Sequence, residues 1–332
     1  LLTAGMKNCT QMSSELGVTY YSISKYRQSI DDEQENQTKD FLIAMANFYA
    51  TEENPGVLII DPTQIQKRYG KTLELLCYDF NNAIKDVVKG MTCVTAVWSN
   101  GKIVIPVDFE FWVREKDLES KENYKKKTEI SMDLILRLNG KLIFGYIALD
   151  GDYGNEKCLR FLHEENLKYS VRMPRDRKVS VDKLELKLKD QPNLKHERNE
   201  RYKAVKGAYK GIKTNFIAHK RNGLNGTKQV VFIASNLEGL SPKQHVEAHA
   251  GRWPIEKTYR TCKQSLGLQE CQCVSEKKQR AHIFAIFLAF TELEIQKINK
   301  KEKSPERVLK FMRPQNRVKR NLRDVLGEGL LM

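Results

Sequence analysis

Val57-Leu58-Ile59-Ile60-Asp61-Pro62-Thr63 is the stretch on which the reading of the fold turns. Four consecutive apolar residues, three of them β-branched, suit a short strand buried on both faces better than a helix. The run stops at a carboxylate, Asp61, and the pattern recurs at residues 142–149, an apolar run that stops at Asp150. Between the two, residues 90–98 and 102–112 are strand-like and flank Ser99-Asn100-Gly101. Asn-Gly between two apolar runs predicts a hairpin. Residues 125–138 switch to helical period with Ile130, Leu134 and Leu138 facing inward, and a helix at about 154–166 and a strand at 168–173 follow. The expected fold class is α/β, a mixed sheet with helices packed on it.

Outward from this centre the rhythm changes. Residues 175–238 are dense in lysine and arginine, with short apolar runs at 214–218 and 230–234 and a turn signal at Asn222-Gly223-Leu224-Asn225-Gly226. They read as a basic β-rich insertion. Helices are expected at about 241–251, 254–265, 279–297 and 305–312. At the other end, residues 8–29 suggest two short helices around Gly17, with Leu16 and Ile23 inward and Thr19 as a cap. That is the outline of a helix-turn-helix, exposing Tyr20, Tyr21, Ser24 and Arg27, and equally that of an ordinary helical hairpin. Residues 31–38, polar and acidic, read as a linker before a helix at 39–50. The expected division is therefore a helical region at 1–50, a sheet domain at 55–174 resumed at 239–299, the insertion at 175–238 and a basic tail at 300–332.

A formal charge of +15 points to a polyanionic partner, nucleic acid first, although a merely basic protein has the same composition. Seven cysteines, with no Cys-x-x-Cys pair, argue against structural zinc and suit reduced thiols in the cytoplasm. The longest apolar run, 283–290, is too short to cross a bilayer, and no signal peptide is visible. The chain begins at Leu1 rather than at a methionine, so residues upstream are expected.

Pro254 opens a helix on which Arg252, Glu256, Arg260 and Lys263 recur at intervals of four, four and three and so share one face. On spacing alone, a solvated helix with i,i+4 ion pairs is the simpler account. Asp61 and Asp150 carry simple accounts as well, since Asp-Pro and Asp-Gly are both turn signals. Together the three make a set. Carboxylates at two strand ends and on one helix can converge at the edge of an open α/β sheet. Such a set suits magnesium or manganese, and two ions could clamp the attacking and leaving oxygens of a phosphoryl displacement.

Four stretches in order then carry a family resemblance: Leu58–Thr63; Lys89-Gly90 with Ile105–Phe109; Ala148-Leu149-Asp150-Gly151-Asp152-Tyr153; and Arg252–Glu256 with Lys263 and Leu266-Gly267-Leu268. The chain resembles the DDE transposases of bacterial insertion sequences, the cut-and-paste group with a Tyr-x2-Arg-x3-Glu-x6-Lys signature. The resemblance implies an RNase H-like sheet with a β insertion, and an aromatic three residues after the second Asp selects Asp150 over Asp152. It implies Asp61, Asp150 and Glu256 as catalytic residues and ligands of two Mg2+ or Mn2+ ions. It further implies His249, Arg252, Arg260 and Lys263 as DNA contacts, His249 standing where the signature has Tyr. The partners implied are double-stranded DNA, as transposon inverted-repeat ends and target, and a second copy in a synaptic dimer. The compartment is the bacterial cytoplasm and nucleoid, with no membrane. A nuclease without strand transfer and a non-catalytic DNA-binding descendant are the competing readings. Trp253 is expected to be buried against the sheet.

Overall fold

The computed structural model describes residues 32–310 and 312, apart from 68, 69, 71, 82–84, 119, 198 and 223–226. The two short helices expected over 8–29, and the tail beyond 312, lie outside the described residues. In chain order the elements are α1 (Asp32–Tyr49), β1 (Val57–Gln66), β2 (Cys77–Asn81), β3 (Asp86–Ser99), β4 (Val104–Trp112), α2 (Lys127–Leu138), β5 (Tyr146–Leu149), α3 (Glu156–Glu164) and β6 (Tyr169–Met173). Then come β7 (Lys178–Val181), β8 (Leu184–Lys187), β9 (Tyr202–Tyr209), β10 (Ile212–Asn222), β11 (Lys228–Ser235), α4 (Pro242–Ala250), α5 (Pro254–Gln264) and α6 (Glu276–Asn299).

The strands form one mixed sheet flanked by helices, as the fold class anticipates. Its order is β2-β3-β1-β5-β6-β11-β10-β9-β7-β8, with β4 also paired to β3. β1 lies between β3, antiparallel, and β5, parallel; β6 continues parallel to β5, and β11 joins antiparallel to β6. The Asn-Gly hairpin forms with Ser99 opposite Val104 and Gly101 at φ +84°. On one face a large core joins α1, α2, α3 and α6 to the strands through Leu42, Leu134, Leu159 and Phe287. On the other, Val57, Ile59, Val97 and Ala148 bury Ile255 and Tyr259 of α5. Trp98 is fully buried, and its ring N–H donates to the carbonyls of Pro55 and Ile143. Among the described residues no helix is long and apolar enough to cross a membrane.

Three elements differ from the sequence expectation. The stretch expected as a linker is the first half of α1: Asp32, Glu33 and Glu35 sit in its first turn, where acidic side chains favour a helix. β1 runs ten residues instead of four, continuing past Asp61 because β3 still offers partners from Thr95 to Gly90. Proline is tolerated there because β5 pairs β1 only from Val57 to Ile59, leaving one edge of the strand open at Pro62. β5, by contrast, starts only at Tyr146. Leu142 still hydrogen-bonds back to Leu138 at the end of α2, so the chain wraps off that helix before joining the sheet.

Candidate active site

The parting of β1 and β5 builds the site. Their last paired residues are Ile59 and Ala148, so Asp61 and Asp150 stand level with each other two residues further on. Side chains alternate along a strand, and Ile59 and Ala148 face α5, so Asp61 and Asp150 are aimed to that same side. α5 brings Glu256 in its first turn, one residue after buried Ile255. Tyr259, one turn further, donates its O–H to the Asp61 carbonyl at 2.5 Å and pins the strand to the helix. The structure thus gathers three carboxylates distant in sequence at one sheet edge, the crevice where ligands of open α/β sheets bind.

Arg252 stands among them. Its guanidinium lies 3.5 Å from the Asp61 carboxylate and 3.3 Å from that of Glu256. Arg172 of β6 lies 3.5 Å from Asp150. Burial pushes the Asp61 carboxyl up to about 7; Arg252 pulls the other way, and the charges of Glu256, Asp150 and Asp152 reinforce the rise. Asp152 itself is exposed, and its backbone carbonyl accepts a bond from Asn155. Tyr153, the aromatic after the second Asp, is buried with its hydroxyl 2.7 Å from that of Ser131.

The cationic residues expected to meet DNA take different positions. Arg252 is mostly buried between carboxylates, whereas Arg260 is exposed, its charge felt by Glu306. Lys263 is half-buried with its ammonium 5.8 Å from the Tyr259 ring centre, and burial lowers its pKa. His249 turns inward. Burial and the nearby Arg252 pull it down to about 4 against the opposing pull of Asp150, so the ring is neutral near pH 7, bonded to the Ser170 backbone. Beside it a cavity of about 240 Å³ is lined by Asp150, Arg172, His219, Arg221, Arg252 and Trp253, among others. Trp253 is 58% exposed rather than buried. It stands at the N-cap of α5, where Ile255 and Tyr259 already fill the inward positions.

Do these residues fit a divalent cation? The donors are all carboxylate oxygens, which hard cations prefer, and the mutual repulsion that helps lift Asp61 is what such a cation relieves. As the side chains stand, no group of three or more His, Cys, Asp or Glu among the described residues is arranged to hold an ion. The Arg252 guanidinium bridges Asp61 and Glu256 in the cation's place. The donor chemistry fits, and the guanidinium is the stand-in charge.

Arg172 and Tyr259 were not singled out from sequence. A lone arginine between Val171 and Met173 in an apolar strand was the signal for the first; Tyr259, three residues after Glu256, had none beyond its place on the helix. The family model of the transposase DDE domain matches residues 53–291. No curated protein matches the chain.

Proposed function

The chain belongs to the family of transposases with a DDE domain, and from that premise we propose that it cuts DNA at transposon ends and joins them to target DNA in a metal-dependent reaction. The observation that carries this reading is the convergence of Asp61, Asp150 and Glu256 at the parting of β1 and β5, with Arg252 bridging two of them. When bound, two Mg2+ or Mn2+ ions held by these carboxylates supply a deprotonated nucleophile and charge at the leaving oxygen.

The chain's own residues do the rest. Arg252 exchanges its carboxylates for a phosphate of the DNA end, a bidentate partner a guanidinium suits. Lys263 and exposed Arg260 add charge along the same helix, and neutral His249 holds the Ser170 backbone beside Asp150. Tyr259 keeps Asp61 in register. In the first step water bonds to phosphorus and the 3′ oxygen leaves as a hydroxyl. In the second that hydroxyl bonds to a target phosphorus and a target 3′ oxygen leaves. Residues 1–50 would recognise the ends, the basic stretch 175–238 would extend the DNA contact, and two copies would pair two ends.

The test uses end DNA and target DNA with magnesium. Asp61→Asn, Asp150→Asn and Glu256→Gln should each lower cleavage by at least about 10²-fold while leaving DNA binding intact. Supplying a pre-cut end separates joining from hydrolysis: wild type that cuts but never joins would reduce the proposal to a nuclease, and an active triple variant would remove it.

A further inference from the structure

α1 has two apolar sides with different fates. Inward, Leu42, Ile43 and Ala46 are buried, and Glu35 receives the Arg280 guanidinium of α6 through bonds of 2.7 to 3.1 Å. Lys39 pairs with Glu35 at 2.8 Å. Outward, Phe41 is 51% exposed and Phe48 is 77% exposed, with exposed Ala44 between them. Spacing of three and four residues puts the three on one stripe. Ile143, itself 51% exposed, adjoins its far end, because the Ile143 N–H donates to Asn47 Oδ1 at 2.8 Å. An apolar stripe on a helix that is anchored from behind marks an interaction surface.

The occupant is argued from what enters the helix. Residues 8–29 run into α1 with two residues between, and the sequence predicts two short helices there, with Leu16 and Ile23 as inward positions. Two helices of that length cannot cover each other's apolar sides; a third surface is needed for a stable unit. The stripe begins nine residues into α1, about 14 Å from its start at 1.5 Å per residue. That is within reach of a hairpin tethered at Asp32. Charge agrees: Asp32, Glu33 and Asp40 are exposed beside the stripe, and Lys25 and Arg27 lie in the segment.

We infer that the outward stripe of α1, Phe41-Ala44-Phe48, is the docking face for residues 8–29 of the same chain, so that α1 is shared between an N-terminal helical unit and the sheet body. The unit is then held in fixed relation to the carboxylate site, since the inward side of α1 is locked to α6 and β4. Hydrogen exchange on the full chain, at a concentration where it sediments as a monomer, tests this. The wild type is compared with a Phe41→Asp/Phe48→Asp variant and a Phe41→Leu/Phe48→Leu control. Amide protection over 8–29 should fall about tenfold or more in the aspartate variant, stay in the leucine control, and leave β1 to β6 unchanged. If the aspartate pair also loosens β1 to β6, Phe48→Ser alone, at the most exposed position, replaces it and is read in the same way. Equal protection over 8–29 in wild type and variant, or none in wild type, overturns the inference. A wild-type dimer at higher concentration that the variant abolishes, with protection over 8–29 unchanged, would assign the face to a second copy instead.

Discussion

At the scale of single residues, position within a strand or helix turn decides what a side chain can do. Asp150 and Asp152 are two residues apart, yet one lies beside Arg172 at the carboxylate crevice and the other is exposed. Asp150→Asn should therefore lower DNA cleavage by at least about 10²-fold, whereas Asp152→Asn should leave it near wild type in the same assay. Equal losses would mean that the roles are shared or reversed. Tyr259 is a second case. Its O–H is the partner of the Asp61 carbonyl, so Tyr259→Phe leaves a buried acceptor unpaired, which costs about 1–3 kcal/mol. Denaturant titration should show that loss; an unchanged midpoint would make the contact incidental. Trp253 teaches the converse, because its letter alone suggested burial while the inward positions of the helix were already taken.

At the scale of elements, the joints carry the consequences. β3 crosses close to β1 at Gly90, where an added Cβ would lie 2.3 Å from the Ile65 carbonyl oxygen. Gly90→Ala should destabilise the chain by about 1–3 kcal/mol, read by thermal or chemical unfolding, and a neutral result would show that the strands can part. α1 is joined to α6 and β4 by Glu35, Arg280, Glu110, Asp108, Arg137 and Lys39. Burial raises the Glu35 pKa, but hydrogen bonds and charge from Arg280 and Lys39 outweigh it and hold the carboxyl below its ordinary value. A lowered folded-state pKa contributes stability that is complete above the unfolded value and is lost as pH falls through the folded one. Acidifying from about pH 7 to about pH 3 should therefore lower the melting temperature more in wild type than in Glu35→Gln. Equal shifts in the two proteins would remove this joint from the acid response.

At the scale of the whole molecule, charge and topology meet. A net charge of +15 gives DNA binding a large electrostatic component. If six to ten phosphates are contacted, affinity of the carboxylate-substituted protein for end DNA should fall by about 10³-fold or more between roughly 50 and 200 mM salt. A flat salt response would leave the basic surface without that role. The sequence by itself determined the sheet's buried strands, the Asn-Gly hairpin and the helix carrying Glu256, because each rests on local periodicity or turn chemistry read within a dozen residues. It also marked Asp61 and Asp150 as strand-end carboxylates. The tertiary structure alone decided that β1 outlasts β5, that α1 begins at its acidic turn, that Arg252 bridges Asp61 and Glu256, and that Arg172 meets Asp150. Those depend on partners 20 to 250 residues away, and local pattern carries no record of which strand ends first or which cation reaches a carboxylate once the chain has closed.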